Sequence, residues 1–280
     1  MEKGDPTSEP MRAWEELAAW YDAKMEDEGD LWHRTLIDPG LLQVLGPVRG
    51  LELLDLGCGN GYLCRRFARE GARVTGVDAS AAMIERACQR EAREPLGITY
   101  HIADAAALSV LSDASLDVVV SNMALMDIED AEGAIREVAR VLRPGGRLVF
   151  SISHPCFDLP GGASAWVVER VDFTSTVWRK VRSYRELFVA PIPWRLEGDR
   201  VAYTPAYHRP LSWYIRTLRA AGFVVTALEE PAPTEEFLSA SPQGPWIAEI
   251  PLHCVIEARK ETIGLSSPRA VQAAVLRPAR

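Results

Sequence analysis

Between Gly50 and Ser153, short apolar runs alternate with segments whose apolar residues recur every three or four positions. The short runs predict strands at Leu51–Leu56, Arg73–Asp78, Ile98–Ile102, Leu116–Ser121 and Arg147–Ser153. The periodic segments predict helices at Tyr62–Glu70, at Ala81–Ala92 with Ser80 as N-cap, and at Glu132–Leu142. Strands that alternate with helices of this length form βαβ units. The pattern therefore predicts an α/β fold with a parallel sheet covered on both faces.

The residues before the first strand follow a helical pattern. Trp14, Leu17 and Tyr21 recur at helical spacing, which predicts an amphipathic helix that begins after a cap at Ser8. Asp38-Pro39-Gly40 predicts a turn. We assign residues 1–48 to a helical cap, which would act as a lid if its helix lay over a ligand.

The alternation of strands and helices stops after the fifth strand. Between His154 and Pro210, alternating runs at Trp166–Phe173 and Thr174–Arg182 predict an insertion with two or more antiparallel strands. All eight tryptophans lie outside residues 51–150, and aromatic side chains suit the walls of ligand pockets. A small satellite core would explain these tryptophans equally well. We place the insertion, residues 155–210, on the substrate side.

The last part of the chain completes the predicted domain. The expected elements are a helix at Leu211–Ala221 and strands at Phe223–Glu229 and Leu252–Arg259, joined by the proline-rich stretch Pro231–Pro251. The main domain is thus expected to span 49–260. Residues 261–280 lack periodicity and predict a flexible tail.

Composition and charge exclude several classes of protein. The formal net charge is 31 − 39 = −8, which argues against broad attraction to nucleic acid or anionic lipid. The five cysteines form no C-x-x-C pair, and the polar N-terminus lacks a signal-peptide pattern, so we expect reduced thiols in the cytoplasm. No run reaches the roughly 18 apolar residues that a membrane span needs. No set of residues has metal-ligand spacing, so we expect no metal.

Three glycines follow the first strand directly, at Gly57, Gly59 and Gly61. Glycine permits a positive φ and lets the backbone approach a ligand closely. The turn between a buried parallel strand and a helix N-terminus is where α/β proteins hold nucleotide-like ligands, although a tight turn without a ligand is the alternative. A dinucleotide fingerprint would place the third glycine where this chain has Tyr62, which makes NAD the weaker hypothesis.

The order G-x-G-x-G after Asp55 resembles motif I of the class I S-adenosylmethionine-dependent methyltransferases, of the type 11-like kind. Gly76–Ser80 resembles the second motif of that family, and Leu142–Leu148 resembles the late motif before the fifth strand. The resemblance extends over about Trp14–Lys260 and is most specific over Leu51–Ser153. It implies a Rossmann-like, doubly wound sheet of seven mainly parallel strands, the last of them antiparallel.

The resemblance also implies a cofactor, S-adenosylmethionine, and roles for residues at successive strand ends. The glycine loop and Asp55 would hold the amino-acid end of the cofactor. Asp78 would accept hydrogen bonds from two ribose hydroxyls, as an acidic residue after the next strand does in related nucleotide sites. Asp104 would bind the adenine amino group, and Met83 would pack on the ring. The full expected set is Asp55, Gly57, Cys58, Gly59, Gly61, Asp78, Ala79, Met83, Asp104, Ala105, Ser121 and Asn122.

Methyl transfer is an in-line displacement, so the protein must chiefly align its reactants, and a general base is needed only for an acceptor that carries a proton. His154 follows the fifth strand and is the first candidate base, although it could instead fix the loop before Pro155. His208 is the second candidate. His33 could reach the site only if the N-terminal helix is a lid. The expected substrate-binding residues are Tyr21, Met123, His154 and Tyr207.

We expect the acceptor to be a hydroxyl or amine of a small molecule with apolar or aromatic parts, because the insertion is rich in tryptophan. An RNA or protein methyltransferase is the alternative, based on the basic cluster Arg179–Arg185 with its one tyrosine. A non-catalytic protein that binds S-adenosylmethionine or S-adenosylhomocysteine is a third possibility. The sequence leaves the acceptor's identity and the oligomeric state open.

Overall fold

The structure, a computed structural model, describes residues 9–172 and 174–262. Its strands are β1 Glu52–Leu56, β2 Arg73–Asp78, β3 Thr99–Ile102, β4 Leu116–Asn122, β5 Leu142–Ser153, β6 Ser164–Val171, β7 Thr174–Val181, β8 Phe188–Arg195, β9 Val201–His208, β10 Phe223–Glu229 and β11 His253–Lys260. Its α-helices are α1 Glu9–Met25, α2 Asp38–Leu45, α3 Tyr62–Arg69, α4 Ala81–Arg93, α5 Ala131–Val141, α6 Leu211–Ala220, α7 Glu235–Ala240 and α8 Gly244–Glu249. The cap at Ser8, Phe173 and the predicted tail from residue 263 onward lie outside the described residues.

A seven-stranded sheet organises the main domain, in the order β10-β11-β5-β4-β1-β2-β3. Strands β1 to β5 pair in parallel, whereas β11 pairs antiparallel with β5 and β10. The predicted α/β, doubly wound fold with an antiparallel last strand is therefore confirmed. Strand order reverses between β1 and β4, and such a switch point opens a crevice at the carboxyl ends of the strands.

Both faces of the sheet are buried, as the continuous apolar strands predicted. On one face, Leu54 and Val119 pack in a cluster with residues of α5 and α6. On the other, Leu53 and Val118 pack with residues of α2 and α3. Adjacent residues of one strand thus pack on opposite faces of the sheet, because successive side chains of a strand point to opposite sides.

The predicted turn at Asp38-Pro39-Gly40 is wrong, because these residues form the first turn of α2 and continue directly from a π-helical turn at His33–Ile37. Proline is compatible with the first turn of a helix, where its missing N–H is not needed. Gly40 serves packing instead, since a Cβ there would lie 2.1 Å from Cγ of Pro231.

Two further differences lie in the second half of the chain. Strand β5 begins at Leu142 rather than Arg147, and the predicted Pro144-Gly145-Gly146 turn bulges out where the pairing with β4 shifts register. The stretch Pro231–Pro251 contains the short helices α7 and α8, which the sequence did not predict. Phe237 of α7 is buried in a small cluster with residues of α8 and the π-helical turn.

The insertion consists of two antiparallel hairpins, β6–β7 and β8–β9, which confirms the expected antiparallel strands. Trp194 of β8 contacts α1, with its ring centroid 5.9 Å from those of Trp14 and Trp20 and 6.4 Å from that of Tyr21. The N-terminal helix and the insertion therefore meet over the sheet edge. Within the described residues, no helix is long and apolar enough to cross a membrane.

Candidate active site

Two adjacent cavities open at the carboxyl ends of the strands. The glycine-loop cavity, of about 300 Å³, is bordered by Gly57 and Gly59 after β1, Asp78 after β2 and Asp104 after β3. The insertion cavity, of about 260 Å³, lies beside it and reaches Trp194 of the second hairpin. The residues that line both are Trp14, Tyr21, Met123 and Asp127, and we call these four the shared wall.

The glycine loop has a shape that side chains would not allow. Gly57 has φ +76° and Gly59 φ +53°, in the left-handed region that glycine adopts without strain. A Cβ on Gly57 would lie only 2.5 Å from Cβ of Ala124. Hydrogen bonds to β2 also hold the loop in place, because the Gly57 and Cys58 amides donate to the carbonyl of Val77 at 2.8 and 3.0 Å. A rigid wall without side chains results.

Asp78 is held at the end of β2 by the backbone around it. Its Oδ2 accepts from the Gly59 amide at 2.8 Å, and its Oδ1 accepts from the Ser80 amide at 2.9 Å. Burial raises the pKa of this carboxyl, and the two backbone donors oppose that shift. Each carboxylate oxygen has a second lone pair, so two further donors can bind from the cavity.

An apolar end of the same cavity is formed by Met83 of α4 with Ala79 and Ala105. Ser80 caps α4 by accepting from the Met83 amide at 3.2 Å, which fixes the start of that helix. Asp104 is oriented in a similar way, because its Oδ1 accepts from the Ala106 amide at 2.9 Å. A flat apolar ring with polar edges would match this pairing of Met83 and Asp104.

Not all of the predicted cofactor residues line the cavity. Asn122 does, whereas Asp55, Cys58, Gly61 and Ser121 do not. Asp55 is buried beneath the glycine loop, where the Cys64 thiol donates to its Oδ2 at 3.2 Å. Burial raises the pKa of Asp55 to about 7. Ligand contacts by these four residues stay predictions.

The predicted substrate residues divide between the two cavities. Tyr21 and Met123 belong to the shared wall, while Tyr207 lines the insertion cavity. His208, the second candidate base, lines the insertion cavity as well, and its catalytic role stays a prediction. His208 donates from Nε2 to the carbonyl oxygen of Tyr184 at 2.9 Å, and burial lowers its pKa, so its neutral form has Nδ1 unprotonated. His33 also lines the insertion cavity, where its Nδ1 lies 2.8 Å from Oδ1 of Asp30.

His154 lies outside both cavities. It is buried, its Nδ1 accepts from the Cys156 amide at 3.1 Å, and its Nε2 lies 2.7 Å from Oε1 of Glu230. These contacts favour the alternative that His154 fixes the loop before Pro155. Its catalytic and substrate-binding roles stay predictions.

Sequence reasoning missed Asp127. This residue belongs to the shared wall, is half-buried, and has its pKa raised to about 8 by burial against an opposing effect of Arg209. It follows β4 by a tight turn in which the Asp127 amide donates to the carbonyl of Ala124 at 2.8 Å. A signal was present, since Ser121, Asn122 and Met123 after β4 are predicted site residues and this acidic residue follows them closely in the sequence.

The described part of the chain offers no group of three or more His, Cys, Asp or Glu side chains that could hold a metal ion.

A doubly wound sheet of seven strands with an antiparallel last strand, a glycine loop after its first strand and an acidic residue at the end of its second is the arrangement of the class I S-adenosylmethionine-dependent methyltransferases. Residues 54–150 match a family model described as a methyltransferase domain. A solved S-adenosylmethionine-dependent methyltransferase from Mesorhizobium loti is 32% identical, with a TM-score of 0.64, and the match covers 79% of this chain and 96% of that one. The chain belongs to the S-adenosylmethionine-dependent methyltransferases.

Curated relatives match over a shorter part. The ubiquinone biosynthesis O-methyltransferase of Maricaulis maris is 36% identical over 125 residues, which cover 44% of this chain and 49% of that protein. The demethylmenaquinone methyltransferase of Tropheryma whipplei is 38% identical over 114 residues, or 40% of this chain and 46% of that protein. The chain thus spans about half the length of these curated relatives.

The cofactor of this family, S-adenosylmethionine, fits the residues around the glycine-loop cavity. The Asp78 carboxylate keeps free lone pairs that ribose hydroxyls could fill, and Met83 would offer an apolar surface to adenine. Gly57 and Gly59 present backbone without a side chain to the cavity. The fit thus rests on the shape and donor set of the cavity itself.

Proposed function

We propose that this protein transfers the methyl group of S-adenosylmethionine to a hydroxyl or amine of a small molecule bound in the insertion cavity. One observation carries the proposal, namely the shared wall of Trp14, Tyr21, Met123 and Asp127. Two ligands, one in each cavity, would meet along this wall.

The residues of the glycine-loop cavity would hold the cofactor and fix its orientation. Asp78 would bind the ribose, Met83 and Asp104 the adenine, and Gly57 and Gly59 would give the backbone room to approach. When bound, S-adenosylmethionine supplies a methyl group that its sulfonium sulfur activates toward displacement. Orientation is then the main task of the protein, and in favourable cases it lowers a barrier by about 7–11 kcal/mol.

The insertion cavity supports an acceptor with an aromatic or apolar body. Its wall includes Trp14, Trp194 and Ile192. Aromatic side chains offer a large contact area and stack edge-to-face or offset with planar ligands. The names of the curated relatives, ubiquinone and demethylmenaquinone methyltransferases, point to acceptors of the same chemical kind.

The alternative of a nucleic-acid substrate loses support at the basic cluster Arg179–Arg185. Arg179 is not free for a phosphate, because its Nη2 lies 2.8 Å from Oδ1 of Asp158 and its guanidinium packs on Trp166 at 4.8 Å. Lys180 and Arg182 are exposed and remain available. A steep salt dependence of RNA binding would revive this alternative.

The proposal is tested in two stages. Isothermal titration with S-adenosylmethionine and S-adenosylhomocysteine checks the donor site, and both nucleosides should bind. Mass spectrometry then follows the gain of one CH₂ in a panel of phenols, catechols, hydroquinones and primary amines. If neither nucleoside binds, the assignment of the glycine-loop cavity is wrong. If both bind and no acceptor is methylated, nucleoside binding stands and the proposed transfer to these acceptors fails.

A further inference from the structure

The shared wall holds only two titratable side chains, Tyr21 and Asp127, beside Trp14 and Met123. Burial raises the pKa of Tyr21 far above its ordinary value, so its phenol keeps its proton at any physiological pH. Asp127 is therefore the side chain of the wall that can take up a proton where the two ligands meet.

The backbone that carries Asp127 is fixed on both sides. Before it, the carbonyl of Met126 accepts from the Tyr207 amide at 2.8 Å. After it, the carbonyls of Ile128 and Glu129 accept from Nη2 of Arg209 at 2.7 and 2.8 Å. Arg209 is itself only 7% exposed. A functional group is most effective when the elements behind it cannot move, and this loop meets that condition.

The carboxylate of Asp127 is left for a ligand. Among the described residues none donates a hydrogen bond to it, whereas the two other aspartates of the insertion cavity are paired, Asp30 with Lys24 at 3.0 Å and Asp158 with Arg179 at 2.8 Å. Asp127 is half-buried at the border of both cavities, and a carboxylate without a protein donor is available to accept a hydrogen bond from a ligand.

We propose that Asp127 is the general base of this protein, and that the acceptor carries its nucleophilic O–H or N–H within reach of Asp127. The proposal rests on the proposed function. In the step, the bond between the acceptor's oxygen or nitrogen and the methyl carbon forms as the sulfur–methyl bond breaks. The sulfur keeps the electron pair, and the acceptor's proton passes to the Asp127 carboxylate.

The raised pKa of Asp127, about 8, agrees with this role, because a base works best with a pKa close to the working pH. A positive charge bound in the glycine-loop cavity would lower the pKa of Asp127 and favour its basic form. The carboxylate would therefore gain its proton-accepting state when the cationic donor is present.

The histidines are less well placed for the same task. His33 and His208 line the insertion cavity and not the shared wall. His33 is held by Asp30, and His208 by the carbonyl of Tyr184. Their positions suit contacts with the distal part of an acceptor.

The first test observes the carboxyl directly. Carboxyl-¹³C-labelled aspartate is followed by NMR across a pH titration of the full chain with saturating S-adenosylhomocysteine, in wild type and in Asp127→Asn. One resonance should titrate with a midpoint above pH 7, be absent from the variant, and move to lower pH when S-adenosylmethionine replaces the neutral product. A midpoint below about pH 5 that the donor does not move would overturn the proposal.

The second test measures initial rates on the phenol, hydroquinone and amine panel. In wild type, kcat should rise with pH to a plateau, because the base acts in its ionised form. In Asp127→Asn, kcat should fall by about 10²–10⁴-fold and should no longer rise with pH. The Kd of the variant for S-adenosylhomocysteine should stay within about threefold of the wild-type value. Asp113→Asn makes the same chemical change at an exposed carboxylate and should match wild type.

The two tests separate the proposals. An unchanged kcat in Asp127→Asn on a panel member that wild type methylates rejects the general base and leaves the proposed function standing. If the nucleosides bind and wild type methylates nothing in the panel, the proposed function fails. In that case the NMR titration still shows whether the Asp127 carboxyl has a raised midpoint that responds to the bound donor.

Discussion

Replacing Asp78 by asparagine should weaken cofactor binding by an amount that the contacts of Asp78 define. Both of its oxygens are occupied by backbone donors, from Gly59 at 2.8 Å and from Ser80 at 2.9 Å. An asparagine has one oxygen, so its NH₂ group must face one of these N–H groups and one hydroxyl of the ribose. In either orientation of the amide, one backbone N–H group and one ribose hydroxyl lose the oxygen that accepts from them.

The loss can be stated as a change in affinity. A hydrogen bond to a charged group contributes about 1.5–3 kcal/mol. At 1.4 kcal/mol for each factor of ten, loss of one ribose contact corresponds to about a 10- to 150-fold rise in Kd. Asp78→Ala removes both contacts and should raise Kd by about 10²–10⁴-fold. Because S-adenosylmethionine and S-adenosylhomocysteine share the ribose, both should lose affinity equally.

Isothermal titration with S-adenosylhomocysteine and its 2′-deoxy and 3′-deoxy analogues provides the assay as a double-mutant cycle. Wild type should bind the deoxy analogues more weakly than the parent nucleoside, whereas Asp78→Ala should bind all three alike. Asp113→Asn, again an exposed carboxylate, should keep the wild-type pattern. A variant that still discriminates against the deoxy analogues would refute the assignment of the ribose to Asp78.

Three further outcomes follow from the same geometry. Gly57→Ala should abolish nucleoside binding, because the φ of +76° and a Cβ 2.5 Å from Ala124 both oppose a side chain there. The same substitution should lower the free energy of unfolding by at least about 1 kcal/mol in urea titrations. A variant that binds the nucleosides normally would contradict this reasoning. Trp194→Ala should remove ring contacts to α1, so that limited proteolysis cuts α1 sooner and acceptor KM rises; unaltered cleavage would show that α1 is held elsewhere. Asp55, whose pKa burial raises from 3.8 to about 7, binds a proton in the folded state that the unfolded chain releases. The free energy of unfolding should therefore fall as pH rises from about 4 to about 7, by up to about 4 kcal/mol, and Asp55→Asn should flatten that slope in urea titrations.

The βα alternation was predictable because each element carries its own periodicity. The run Leu116–Ser121 and the helical stripe of Glu132–Leu142 are long enough for a period of two or of 3.6 to show. Helices α7 and α8 have six residues each, too few for a stripe to repeat, and their stability comes from tertiary burial of Phe237 and Ile247. Local signals mark their starts, since Thr234 caps α7 and Pro245 lies in the first turn of α8, but neither helix is long enough to show a periodic stripe.

The donor side of the site was predictable for a related reason, since Gly57, Asp78 and Asp104 follow successive strands that end at one edge. The acceptor side depends on long-range packing. That Asp127 faces both cavities follows from a turn after β4 and from Arg209, some eighty residues further along the chain. The sequence likewise predicts that Arg179 belongs to a basic surface, but in the structure this side chain pairs with Asp158.

The contacts that hold α1 in place have a consequence for how ligands enter and leave the two cavities. Glu15 of α1 accepts from the Ala82 amide at 3.1 Å and so caps the N-terminus of α4, and Asp22 pairs with Arg90 at 2.5 Å. Trp14 and Tyr21 of the same helix border both cavities. One helix therefore borders both cavities, so release of the nucleoside and release of the acceptor should be coupled. Because the Asp22–Arg90 pair is partly buried and Trp194 also packs on α1, added salt should change the residence times of both ligands only slightly.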